Sequence, residues 1–154
     1  MNSALLLLTI NLNFRDGGME NKKAIFCLKL SFLLGIVTDA VALIPMLFPP
    51  AAKIFWGFGN FTGIYYFAMG YGASLMLVWT ILLYWAYRKP LERRYVALFT
   101  ALVIICFVVT EIVAISNNYI QLNKVIPSFV LQTILLTVFS YSFVISGNRK
   151  TAKE

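Results

Sequence analysis

The chain has 154 residues and a formal net charge of +7, from 13 Lys and Arg against 6 Asp and Glu; 60% of it is apolar and 12% is charged. Ordinary soluble domains are about 45–50% apolar and about 25% charged, so a soluble core of 17.4 kDa cannot hide this much apolar surface. A soluble globular enzyme, a disordered tail and a disulfide-stapled secreted domain are excluded, and an all-α membrane protein with four transmembrane helices in an up-down-up-down bundle is expected.

The first stretch, Met1–Gly18, contains an apolar run of seven residues, Ala4–Ile10, too short to span a bilayer. It lacks the basic start and the small-residue cleavage site of a secretory signal. Two readings are open for residues 1–18: a short interfacial tail, or a mis-assigned start, with translation beginning at Met19. Met19-Glu-Asn-Lys-Lys23 followed by an apolar helix is an ordinary beginning for a membrane protein with its N-terminus inside.

A bilayer core about 30 Å thick needs about 20 apolar helical residues. Residues 24–48 are apolar except for Lys29 and Asp39, and give a first helix over 24–47. Pro49-Pro50 stops it. The next run, Ile54–Tyr87, has 34 residues without a charge, more than one span requires. Its front carries Gly57, Gly59, Asn60 and Gly63, which disfavour regular helix, so 49–62 is read as an interfacial loop and the second helix as 63–87. Phe55, Trp56, Phe58 and Phe61 are expected to dip into lipid from that loop. The third helix, 95–116, follows the basic segment Arg88-Lys-Pro-Leu-Glu-Arg-Arg94; the fourth, 126–146, precedes a basic tail over 149–154.

The basic residues are distributed unevenly. Eleven fall in the segment before the first helix and just inside it, in the turn between the second and third helices, and in the tail; only Lys53 and Lys124 fall at the other end. Short loops rich in Lys and Arg stay on the cytoplasmic side, so both termini are expected there, in the inner membrane. The charges flank apolar runs instead of forming a nucleic-acid patch, and no nucleic-acid partner is expected. The expected partner is the bilayer itself, with a second copy or another membrane protein reached through small-residue helix faces such as Ala68, Gly70, Gly72 and Ser74.

The chain contains no His and two distant cysteines, Cys27 and Cys106, without a CxxC pair. No metal, no cofactor and no catalytic residue set is therefore expected. Ionisable residues inside spans are costly and often mark function. Lys29 lies about one turn from a helix end and can snorkel. Asp39, with Gly35 and Ala42 on its face, and Glu111, on a stripe with Thr100 and Asn118, fall at similar depth away from the basic end. They form the candidate pocket, together with Gln132, Tyr65, Tyr66 and Asn118; Ser128 and the Thr133, Thr137, Ser140, Tyr141 stripe are further partners. The small residues beside Asp39 fit an inward face better than Ile104, Phe107 and Ile115 around Glu111. The alternative role for both carboxylates is hydrogen-bonded glue between helices.

Two stretches carry a resemblance. One is Thr38-Asp39-Ala40 with Ala42–Leu47 and Pro49; the other is Met69-Gly-Tyr71, Ser74–Leu77, Trp79-Thr80, Trp85-Ala86 and Arg88–Arg94. Together they resemble a family of small four-helix bacterial integral membrane proteins with no assigned activity. The resemblance covers about half the chain, implies a bacterial inner-membrane setting and places Asp39 inside the resembling part. On these grounds the chain is expected to be a non-enzymatic integral membrane protein. The first alternative is a small proton-linked transporter or ligand-binding protein using Asp39 and Glu111; the second is an intramembrane lipid-modifying enzyme.

Overall fold

A computed structural model describes residues 3–57, 59 and 61–147, with side chains from Lys22 onward, so the expected basic tail over 149–154 and Phe58 lie outside the described residues. The described residues form five helices: α1 Ser3–Leu47, α2 Pro49–Trp56, α3 Gly63–Arg88, α4 Tyr95–Ser116 and α5 Leu122–Gly147. Four of them contain stretches long and apolar enough to cross a membrane: Lys22–Leu47, Gly63–Arg88, Tyr95–Ser116 and Leu122–Gly147. The chain is therefore a multi-pass helical membrane protein, with large apolar side chains such as Ile64, Phe67 and Leu75 on its exterior where lipid would lie.

Three expected boundaries need correction. The helix expected over 24–47 extends back to Ser3. Ala4 and Leu5–Leu8 are strong helix formers, and Gly17-Gly18 costs only about 1 kcal/mol per residue relative to Ala without barring the geometry. The segment 49–62, read as loop, holds the helix α2. Pro49 and Pro50 end α1, yet they occupy the first two positions of α2, where a missing N–H costs nothing. Gly57, at φ 76°, closes α2 in the left-handed conformation that glycine adopts without strain. Pro127 falls in the second turn of α5, which starts at Leu122, four residues earlier than expected.

The helices do not pack as a closed square. α1 lies along both α3 and α5, and α4 lies along α5, whereas α3 and α4 touch little despite being neighbours in sequence. The α1–α3 register is fixed at two places. A Cβ added at Gly35 would lie 2.9 Å from Leu83 Cδ1 and 2.9 Å from Phe139 Cζ, and one added at Gly72 would lie 3.8 Å from Met46 Cε. Residues 35 to 46 and 83 to 72 are the same number of steps along two antiparallel helices, so the pairing holds its phase throughout. Glycine at 35 thus sets how closely the helices cross, because a side chain there would displace Leu83 or Phe139.

The apolar core occupies the half of the bundle nearer the α3–α4 turn. Leu28, Phe32, Leu83, Ala86, Ala97 and Phe139 are completely buried there, or within 1% of it, and Val96, Ala101 and Ile104 join them. That end also carries the basic residues. Arg94 donates to the Ser146 carbonyl (2.8 Å) and lies over the rings of Tyr95 and Phe143, tying the α4 start to the α5 end. Arg93 stacks on Trp85 and donates to its carbonyl, folding the turn back on α3. Lys29 is exposed, with its ammonium 5.5 Å from the centre of the Tyr87 ring, in keeping with a snorkelling side chain.

Candidate functional site

Glu111 is the centre of a polar cluster between α4 and α5. It falls two turns beyond the buried Ile104 on the same stripe of α4, which places it inward even though its neighbours are bulky. Its Oε1 accepts from the Ser128 hydroxyl (2.6 Å) and from Gln132 Nε2 (3.0 Å), and Gln132 Nε2 also donates to Ser128 Oγ (3.1 Å). Every donor of this triad is then used: one hydroxyl hydrogen and two amide hydrogens. Two acceptors remain. Glu111 Oε2 and Gln132 Oε1 are buried and have no hydrogen-bond partner among the described residues.

Asp39 lies on the inward stripe of α1, one turn beyond Gly35. The α1–α3 register sets it level with Trp79, which is one turn beyond Leu83 in the same direction. On α5 the same step from Phe139 reaches Leu135, and Gln132 follows within about one turn. Asp39 Oδ2 and Trp79 Nε1 are also buried without a partner among the described residues. Four helices thus carry four polar side chains at neighbouring heights along the bundle axis, a belt in height alone: Trp79 on α3, Asp39 on α1, Gln132 on α5 and Glu111 on α4. The belt holds one unused donor, the Trp79 N–H, and three unused acceptors. The only ion pair among the described residues, Lys89–Glu92, is exposed in the α3–α4 turn, so neither carboxylate of the belt is paired with a cation.

The remaining candidate residues fall elsewhere. Tyr65 is 14 residues from Trp79, about 21 Å along α3, and packs with Phe61 (5.0 Å between ring centres) and Tyr66 (5.7 Å). Tyr66 is exposed on the opposite side of α3, beside Gly70 and Tyr71. Asn118 adopts φ 57° just past α4 and lines a cleft of about 620 Å³ with Trp56, Gly57, Tyr119, Gln121 and Lys124. That cleft lies one turn beyond the triad, because Ile115 in its wall follows Glu111 by four residues and Lys124 precedes Ser128 by four. Thr100, Thr133 and Thr137 return their hydroxyls to carbonyls of their own helices and add nothing to the belt.

Trp79 is the belt residue that sequence reasoning missed. Hydropathy gives it the value of any aromatic span residue; only the phase between α1 and α3 reveals what it opposes. Comparison of the chain with protein-family models, with curated proteins and with solved structures finds no match, so the belt itself has to carry the functional argument.

Proposed function

We propose that this is a small non-enzymatic protein of the bacterial cytoplasmic membrane, with both termini on the cytoplasmic side, that serves as a proton-linked transporter or ligand-binding protein through Asp39 and Glu111. The orientation rests on the 11 basic residues gathered at one end against Lys53 and Lys124 at the other. The bacterial setting rests on the resemblance described above.

The observation that carries the reading is the imbalance in the belt: three buried acceptor oxygens against one buried donor. Carboxylates serving only as glue between helices would be expected to close their own hydrogen bonds, since each unmet buried polar atom costs about 1–3 kcal/mol. Ser128 and Gln132 satisfy one oxygen of Glu111 and leave the rest of the belt short of donors. A proton delivered to either carboxyl group supplies a missing donor, and so does a ligand bearing N–H or O–H groups.

Infrared difference spectroscopy of the purified protein in lipid tests this between acidic and alkaline buffer. A protonated carboxyl C=O band is expected, diminished in Asp39→Asn or Glu111→Gln. Two carboxylates ionised throughout the range would overturn the reading and leave them as structural glue.

A further inference from the structure

The cleft at the end opposite the basic turn carries chemistry that the belt does not use. It lies between the last residues of α2 and the turn joining α4 to α5, and its volume of about 620 Å³ falls within the roughly 300–1,000 Å³ of small-molecule sites. Its depth follows from α4. The 22 residues of that helix rise about 33 Å, so its end lies one hydrocarbon thickness from the basic turn, at the far headgroup layer. We propose that the cleft holds the headgroup of an anionic phospholipid, with the phosphate at Lys124 and the acyl chains lying on the apolar spans. This goes beyond the reading of the carboxylates and does not depend on it.

Charge is the first support. Lys124 has no ion-pair partner among the described residues. None of the six acidic residues of the chain falls within α2 or anywhere from Ile112 to Gly147. The nearest acid along α4, Glu111, does not line the cleft, and its Oε1 is held by Ser128 and Gln132. The Lys124 stem packs on Gly57, where an added Cβ would lie 3.7 Å from Cε and 3.9 Å from Cγ. The side chain therefore bridges from α5 to the end of α2 and forms one wall.

The backbone around the cleft favours an anion as well. The Val113 carbonyl accepts from the backbone and side-chain amides of Asn117 (3.1 and 2.8 Å). The Ala114 and Ile115 carbonyls accept from the N–H groups of Tyr119 and Asn118 (both 2.9 Å). The oxygens that would make the end of α4 negative are thus taken up. Asn118 and Gln121 add side-chain amide donors to the walls. The Lys124 N–H donates to the Gln121 carbonyl (3.0 Å), so these two side chains leave the same turn.

A lipid fits better than a soluble anion because much of the remaining wall is apolar, from Trp56, Ile115, Ile120 and Leu122. A hydrated ion gains nothing from these surfaces, whereas a phospholipid lays its glycerol backbone and first methylenes on them. Tryptophan at headgroup level is the usual interfacial anchor.

Trp56 reports on the cleft once Trp79→Phe and Trp85→Phe leave it as the chain's only tryptophan. The full chain carrying these two changes is placed in phosphatidylcholine nanodiscs. Phosphatidylglycerol brominated high in its acyl chains is added, or phosphatidylcholine brominated alike, and quenching of Trp56 is followed. We expect phosphatidylglycerol to bind at least about fivefold tighter, since one lysine near an anionic headgroup is worth about that factor. Lys124→Gln should abolish the preference and Lys124→Arg should keep it. Lys53→Gln should also keep it, because Lys53 shares this end of the molecule without lining the cleft. Equal quenching by the two lipids in the protein with Lys124 intact overturns the proposal, as ordinary surrounding lipid behaves so. An equal loss in Lys53→Gln and Lys124→Gln also overturns it, by assigning the preference to general surface charge. Displacement of the brominated lipid by dissolved glycerol phosphate would place a soluble phosphate ester in the cleft and overturn the lipid assignment.

Discussion

The two halves of the bundle are built by different rules. Toward the basic end, α1, α3, α4 and α5 all contribute to one apolar core, and Arg94 bolts α4 to the end of α5. Toward the other end, Ala73 is the only buried residue of α3, and no residue of α4 beyond Ile104 is buried as a whole. The polar belt lies where the first regime gives way to the second. The tight half fixes helix phase to within a side chain; the loose half leaves the polar atoms that this phase aligns without enough donors. Order and unmet hydrogen-bonding capacity are thus supplied by separate parts of one small fold.

The largest effect should come from emptying the tight half. In lipid the transfer term is small, because the unfolded reference is apolar too, and the cavity term remains. Phe139→Ala should cost about 2–3 kcal/mol on that basis, read by steric trapping or by detergent titration of unfolding. Gly35→Ala comes next, at about 1–2 kcal/mol, because the new methyl meets Leu83 and Phe139 at 2.9 Å. A neutral result there would break the claim that Gly35 sets the register.

Ser128→Ala probes the boundary. It removes one of two donors to Glu111 Oε1 and should cost about 0.6 kcal/mol and no more than about 1.7, the range for hydrogen bonds between membrane helices. The smallest effect is expected in the loose half. Gly70 has no atom within 4 Å of an added Cβ, so Gly70→Ala should be neutral or gain up to about 1 kcal/mol from helix propensity. A loss at Gly70 comparable with that at Gly35 would erase the distinction between the halves.

Much of this architecture was legible in the sequence. Charge-free runs gave 95–116 and 63–87, against the observed Tyr95–Ser116 and Gly63–Arg88, because the hydrophobic length of a span is a property of the chain alone. The helix at 49–56 was missed because two prolines read as a stop, and a stop for one helix is also a permitted start for the next. Asp39, Glu111 and Gln132 stood out as costly polar residues in greasy helices. Tyr65, Tyr66 and Asn118 were grouped with them on polarity without a measure of distance along the helix. Trp79 could not be found that way. Its role depends on the phase between α1 and α3, set by the contacts of Gly35 and Gly72, and hydropathy carries no phase between helices.

The packing order also has a mechanical consequence. The bundle consists of two hairpin-like leaves, α1 with α3 and α4 with α5, joined chiefly along the α1–α5 seam. At belt level every hydrogen bond that is already made, from Ser128 and Gln132 to Glu111, lies within one leaf. Asp39 and Trp79 belong to the other leaf, so no belt hydrogen bond opposes a small slide of one leaf past its neighbour. The seam is held instead nearer the basic end, where Gly35 lets Phe139 approach closely and the Ser142 hydroxyl donates to the Cys27 carbonyl (3.1 Å), so relative movement of the leaves would be pinned there.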